Sequence, residues 1–296
     1  MAMHSVTKVF LVCLVFTVFY PESSIACLDG MNILKCVEFY QGKAFLQFVN
    51  STGLWGTLLQ SKDTTILLPS SVAFGHLPEK VTSDNNTMRE ILLYHILPKS
   101  INTTALVNEQ LLPSSTPGRL SVRFNRYSKG NKTVITSSGG VILRSNENAT
   151  NGVINLVDRV MYPPPTGSLY EYVANTASYQ TLLLLAAKAR LLDTLKEGTY
   201  TLFAPNDDAF SKLPSGAVAN LLKDIPKLKT VLENHIVPAT LYTAGLKVVG
   251  TGKTLSGVDF NSNSTTVTFK TVKATIVSAD RSATNGVIHE IDSVLM

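Results

Sequence analysis

The sequence predicts an α+β protein made of two copies of one domain. Three observations predict it. The 296-residue chain repeats itself in three blocks that keep their order. Within the better-preserved copy, helical periodicity comes first and strand alternation later. A run of prolines separates the copies. At roughly 100–200 residues per domain the length suits two, each long enough to bury a core. Fractions of 45% hydrophobic and 16% charged residues are those of a globular chain, which argues against disorder as the main state.

Residues 1–26 read as a secretory signal peptide. Lys8 gives a weakly basic start, Val9 to Tyr20 is apolar apart from Thr17, and Pro21 with Glu22 breaks the run. Ser24-Ile25-Ala26 then supplies small residues for cleavage. The apolar run of about 12 residues is short of the roughly 20 that span a bilayer, and no later run reaches that length. No membrane span and no lipid-anchor tail are expected, and the location is the extracellular space or matrix. Removing the leader takes away Lys8 and Glu22 and leaves the net charge at +5. That mild excess permits acidic partners such as sulfated glycans. The basic residues are scattered without aromatic interleaving, which argues against nucleic acid.

Cys13 leaves with the leader, so Cys27 and Cys36 remain. In an oxidising compartment they are expected to form a disulfide, the alternatives being free thiols or pairing with another chain. Six Asn-x-Ser/Thr sequons, at Asn50, Asn85, Asn102, Asn131, Asn148 and Asn263, mark expected glycosylation sites. Five precede the proline run, so the second copy is expected to offer more free surface.

The repeat is explicit. Thr65 to Pro78 matches Thr201 to Pro214 in threonine, proline, alanine, phenylalanine and a Leu-Pro pair. His95-Ile-Leu-Pro98 matches His235-Ile-Val-Pro238, and Ala149-Thr-Asn-Gly-Val-Ile154 matches Ala283-Thr-Asn-Gly-Val-Ile288. The offset stays near about 135 residues, too long for a solenoid. The expected boundaries are 27–162 for the first copy, 163–167 for a semi-rigid proline linker, and 168–296 for the second.

In the second copy, Leu169 to Ala189 and Leu191 to Leu195 have helical spacing, ended by Gly198. Tyr200 to Ala204 reads as a strand stopped by Pro205. Asn206-Asp-Asp is a helix cap cluster followed by Ala209 and Phe210. Helices are expected from Pro214 through Leu222 and over Leu228 to His235. Beyond them Leu246-Lys-Val-Val, Val258-Asp-Phe, Thr265 to Lys273 and Ala274 to Val277 read as strands. Asn285-Gly286 marks a turn, and Val287 to Leu295 closes with strand alternation.

Thr201-Leu-Phe-Ala-Pro-Asn-Asp-Asp-Ala-Phe210 resembles the first signature box of fasciclin I domains, and Ala283-Thr-Asn-Gly-Val-Ile-His-Glu-Ile-Asp292 resembles the second. The first copy carries a degraded first box at Leu67 to Phe74 and a good second box at Asn151 to Asp158. The resemblance covers essentially all of the chain after the leader. It implies a wedge of antiparallel strands packed with a helical layer, and extracellular adhesion with collagen, proteoglycans and integrins as partners. Integrin-binding motifs of the family lie at a Tyr-His pair and at an Asp-Ile pair before the second box. Here those places hold Tyr94-His95 in the first copy, Asn234-His235 in the second, and Asp280-Arg281. Tyr94, His95, His235 and Asp280 are therefore the candidate adhesion residues; no Arg-Gly-Asp occurs.

Each has a plainer reading. His95 and His235 follow apolar helical stretches and read as backbone-bonded structural histidines. Tyr94 reads equally as adhesive surface or core. Asn285, Gly286 and Asn151 read as turn formers. Asp158 and Asp292 read as local backbone acceptors, and Phe74, Phe210 and Pro205 as structural. His76, His95, His235 and His289 are dispersed without metal-ligand spacing, so no metal or cofactor is expected. No nucleophile elbow, zinc-protease helix or phosphate loop occurs, so the expectation is not an enzyme. The expected function is matrix adhesion; the alternative is a secreted binder of a small apolar ligand or lipid.

Overall fold

The computed structural model describes Cys27 and residues 30–296. The leader read at 1–26 lies outside the described residues. The first copy has seven strands: β1 (Thr64–Pro69), β2 (Ile96–Leu97), β3 (Gln110–Pro113), β4 (Ser121–Lys129), β5 (Lys132–Ser137), β6 (Gly140–Ala149) and β7 (Gly152–Val157). The second has β8 (Tyr200–Pro205), β9 (Ile236–Val237), β10 (Thr251–Lys253), β11 (Asp259–Ser262), β12 (Thr266–Phe269), β13 (Val272–Ala283) and β14 (Gly286–Ile291). The sheet orders are β2-β1-β7-β6-β5-β4-β3 and, read from the matching edge, β9-β8-β14-β13-β12-β11-β10. Topology is thus duplicated strand for strand, with the α+β class as expected.

The sheets are not wholly antiparallel. β1 pairs with β7, and β8 with β14, in parallel. Each of these strands has a neighbour on both sides, and β1 is buried at every position. Burial on both faces is why Thr65 to Leu68 and Thr201 to Ala204 read as continuous apolar runs. Helices pack on one face of each parallel pair, and each copy has a helix-side core and a sheet-side core.

Local chemistry sets the helix starts. Asn206 accepts from the Ala209 amide and opens the helix Asp207–Ser211. Asp84 accepts from the Asn86 and Thr87 amides at the head of Asn85–Tyr94. Ser168 and Glu171 form a capping box on Leu169–Ala174. The long helix expected over Leu169 to Ala189 is broken: Thr176 is extended, and a second helix runs Gln180–Lys188. Leu246-Lys-Val-Val is not a strand but the end of a helix, Thr243–Val249. Its β-branched residues suit strands, but Asp280 accepts from the Thr243 amide and Gly250 ends the helix at φ 74°. Capping and burial of Leu246 outweigh a weak propensity. Cys27 and Cys36 are joined, with Cα atoms 5.5 Å apart, beside the first helix, Ile33–Phe39.

Candidate functional site

The signature residues build the interior of each copy. Asn285 accepts from the Leu169 amide at 2.8 Å and donates to Leu195 and Gly198 carbonyls at 3.1 and 2.8 Å. Asn151 does the same with Ile33, Leu58 and Ser61. Each asparagine therefore ties the first helix, the last turn before the first long strand, and the closing hairpin together. Sequence reasoning saw only the turn. Asp292 and Asp158 accept from the Thr275 and Val141 amides, both at 2.8 Å, across the bulged strand pair. Burial raises the Asp292 pKa, but the Thr275 amide and its other partners outweigh that, so the net shift is downward. Phe210 and Pro205 are buried.

The candidate adhesion residues lie inside. His95 donates from Nδ1 to the Ile91 carbonyl and accepts at Nε2 from the Met161 amide, at 2.8 and 2.9 Å. His235 repeats this with Val231 and Leu295 at the same distances. Burial pushes both imidazoles down to about 4, so they are neutral and serve as clamps between a helix end and the segment after the last strand. Tyr94 is fully buried, donates to the Ser121 carbonyl and pairs with the Ser138 hydroxyl. Asp280 sits at φ 60° in a bulge of β13 and holds Thr243 through both carboxylate oxygens. Asn146, at φ 61° in the equivalent bulge of β6, accepts from the Thr103 amide and hydroxyl at its single side-chain oxygen. His289 donates from Nε2 to the Leu241 carbonyl and accepts at Nδ1 from the Asp280 amide. None of Tyr94, His95, His235 and Asp280 presents an exposed side chain. The reason is common: each satisfies backbone groups that the fold buries. The six sequon asparagines are all exposed.

What lies between the copies was not visible in the sequence. Tyr127 of β4 donates to the Thr240 carbonyl at 2.9 Å and accepts from the Tyr242 amide at 3.1 Å. Its ring joins the sheet-side core of the second copy. Glu109 pairs with the buried Arg123 at 2.8 Å and accepts from the Thr240 amide. Arg123 also reaches the Thr284 carbonyl, and Arg159 pairs with Asp280 at 2.6 Å. The two tyrosines seat reciprocally. A Cβ on Gly245 would fall 2.5 Å from the Tyr127 ring, and one on Gly139 would fall 2.6 Å from the Tyr242 ring. Each copy thus supplies a glycine slot for the other's tyrosine, which fixes their relative orientation.

That contact has a direct test. Gly245→Ala should raise the intrinsic propensity of its helix by about 1 kcal/mol. Overpacking against Tyr127 costs about 1–3 kcal/mol and lies only at the seam. The expected result is a calorimetric trace that splits or broadens, while the second copy itself keeps its stability. An unchanged single transition would mean that the slot does not couple the copies.

A cleft of about 650 Å³ opens at the seam. Its walls come from Pro117 and Leu120 of the first copy, Pro163 and Pro164 of the linker, and Tyr172 of the second copy, with Glu90 and Glu171 at the lining. This size and this place between domains are usual for ligand sites. No group of three metal-ligating side chains occurs among the described residues. Pro165 of the expected linker is buried at an adjoining pocket.

Comparison with known proteins agrees with the duplication. A family model described as Fasciclin domain matches residues 41–163 and again 177–296. The transforming growth factor-beta-induced protein ig-h3 of Sus scrofa is 29% identical over 242 residues, covering 78% of this chain and 34% of that protein. Periostin of Homo sapiens is 27% identical over 240 residues, covering 78% and 28%. Protein sll1483 of Synechocystis is 37% identical over 132 residues, covering 44% of this chain and 73% of that protein. The chain therefore spans about a third of the length of the first two relatives. A solved FAS1 domain pair from the insect cell adhesion molecule fasciclin I aligns with 86% of this chain and 96% of that one, at 20% identity and a TM-score of 0.42.

Proposed function

The chain belongs to the fasciclin domain family, and from that premise we propose that it is a secreted, glycosylated adhesion protein that binds extracellular matrix. Its partners are matrix proteins such as collagen, with proteoglycans and cell-surface receptors of the integrin type as further ones. The observation that carries the reading is the seam: two copies held in one orientation around a cleft to which both contribute. A fixed pair presents two surfaces at once, and weak contacts then add without a further ordering cost. Exposed sequons on both copies and the Cys27–Cys36 bond suit an oxidising, extracellular setting. Among the described residues no helix is long and apolar enough to cross a membrane.

The test is solid-phase binding of the purified chain to collagens, heparin and cultured cells. Saturable binding to collagen or cells is expected, with modest salt sensitivity. Binding to heparin alone, lost at moderate salt, would move the partner to a sulfated glycan. Binding to none would remove the adhesion reading.

One observation favours the second reading, a carrier of a small apolar ligand. The first copy has an apolar groove of about 260 Å³ lined by Tyr40, Leu68, Pro69, Leu143 and Leu156. At the position of Leu156 the second copy has Glu290, bonded to Tyr179 and Asn206. The second copy thus has a carboxylate where the first copy's groove, which Arg144 also lines, has Leu156. A lipid co-purifying with the protein would support this carrier role.

A further inference from the structure

We propose that the cleft between the copies holds an extended, proline-rich peptide segment carrying a basic side chain. This deepens the reading of the cleft as the binding site and rests on it. The argument starts from the walls. Proline and tyrosine rings make rigid apolar surfaces that lose little side-chain freedom when covered. An extended polyproline-type segment has no internal hydrogen bonds, and it docks on such ring-lined grooves. The exposed Thr166 and Asn175 around the cleft supply polar groups for its free backbone.

Charge selects the side chain. The cleft lining includes two carboxylates and no lysine or arginine, in a chain whose net charge is +5. Glu90 stands on the helix Asn85–Tyr94 and Glu171 on Leu169–Ala174, one from each copy. Neither makes an ion pair among the described residues; Glu171 only accepts from Ser168, whose amide and hydroxyl lower its pKa. Two unpaired acids on an apolar cleft attract a cation and repel an anionic glycan. The adjoining pocket carries Arg119 and Arg123, and Arg123 is already paired with Glu109. The basic side chain therefore belongs at the Glu90 and Glu171 end.

The experiment is fluorescence anisotropy on the full chain. The probe is a labelled peptide alternating proline and lysine, with counterparts carrying glutamate or glutamine in place of lysine. Saturable binding of the lysine peptide is expected, with no binding of the glutamate one. The double variant Glu90→Gln, Glu171→Gln should bind the lysine peptide about tenfold more weakly, the scale of two partly exposed ion pairs. Glutamine at 171 can keep the capping box, so the unfolding midpoint should hold. Glu79→Gln, an exposed acid that does not line the cleft, should bind as the parent does. Equal affinity of the double variant and the parent, or of the glutamate and lysine peptides, would overturn the assignment. If matrix binding persists while that happens, the proposed function stands and only the occupant is wrong. If the lysine peptide binds as expected and no matrix component does, the adhesion reading fails and the occupant's chemistry stands.

Discussion

An alanine at Gly286 is expected to destabilise the second copy by about 3 kcal/mol or more, the high end of what single substitutions do. A Cβ there would lie 2.0 Å from the Tyr200 carbonyl oxygen. The oxygen is backbone in the first strand of the parallel pair, so it cannot turn aside as a side chain would. Relief needs the paired starts of β8 and β14 to part. Gly152 stands in the same relation to Thr64 in the first copy, at 2.1 Å, and Gly152→Ala should act there alike. Gly257 separates this cause from backbone conformation. It has φ 83° and nothing within 4 Å of a Cβ, so Gly257→Ala should cost only about 1–2 kcal/mol. Urea unfolding of the three variants checks this. A loss below about 1 kcal/mol at Gly286 would show that the strand pair tolerates the methyl group.

Stability is also expected to fall steeply between pH 6.5 and 4. His95 and His235 are buried and neutral, with burial holding both near 4 against 6.5 when unfolded. Across that window the unfolded chain binds more protons than the folded one, so stability rises with pH. The contribution is complete above pH 6.5 and is lost progressively as the pH drops to 4. Each histidine accounts for about 3 kcal/mol at the low end, by the standard conversion of a pKa shift. His289, lowered by burial against the opposing charge of Asp280, acts in the same direction. Two such losses are comparable to the whole stability of an ordinary domain. Urea midpoints at pH 7 and pH 4.5 measure the effect. The double variant His95→Gln, His235→Gln should start less stable and show a flatter pH profile. An equally steep profile in that variant would place the proton uptake elsewhere.

The duplication was legible because the same constraints act twice. Asn151 and Asn285 each hold three backbone groups, His95 and His235 each clamp a helix end, and both pairs recur in order along the chain. Strand existence was readable from apolar runs, but strand neighbours were not. The parallel partners of Thr64–Pro69 lie at the far end of the copy, and nothing local names them. The Thr243–Val249 helix was misread because its caps come from Asp280 and Gly250, one of them distant in sequence. The adhesion candidates carried a warning in their surroundings. Leu92 and Leu93 precede Tyr94, and Val231 and Leu232 precede His235, an apolar setting that places these side chains inside. The seam had no such signal. Tyr127 and Tyr242 look like any strand or loop tyrosine until the slots at Gly245 and Gly139 are seen. Ser168-Leu-Tyr-Glu171 was a readable capping box, and its Glu171 turned out to line the cleft.

The central claim, that the cleft of the locked pair is where this protein meets its partner, is tested most directly by filling that cleft. Asn175 is exposed at its wall, and Asn175→Trp would occupy the space without touching the seam bonds. The measurement is solid-phase binding of the full chain and of this variant to the same matrix panel, with unfolding midpoints recorded for both. The expected result is an unchanged midpoint and loss of most matrix binding. Undiminished binding by the folded variant would contradict the account and move the binding surface away from the seam.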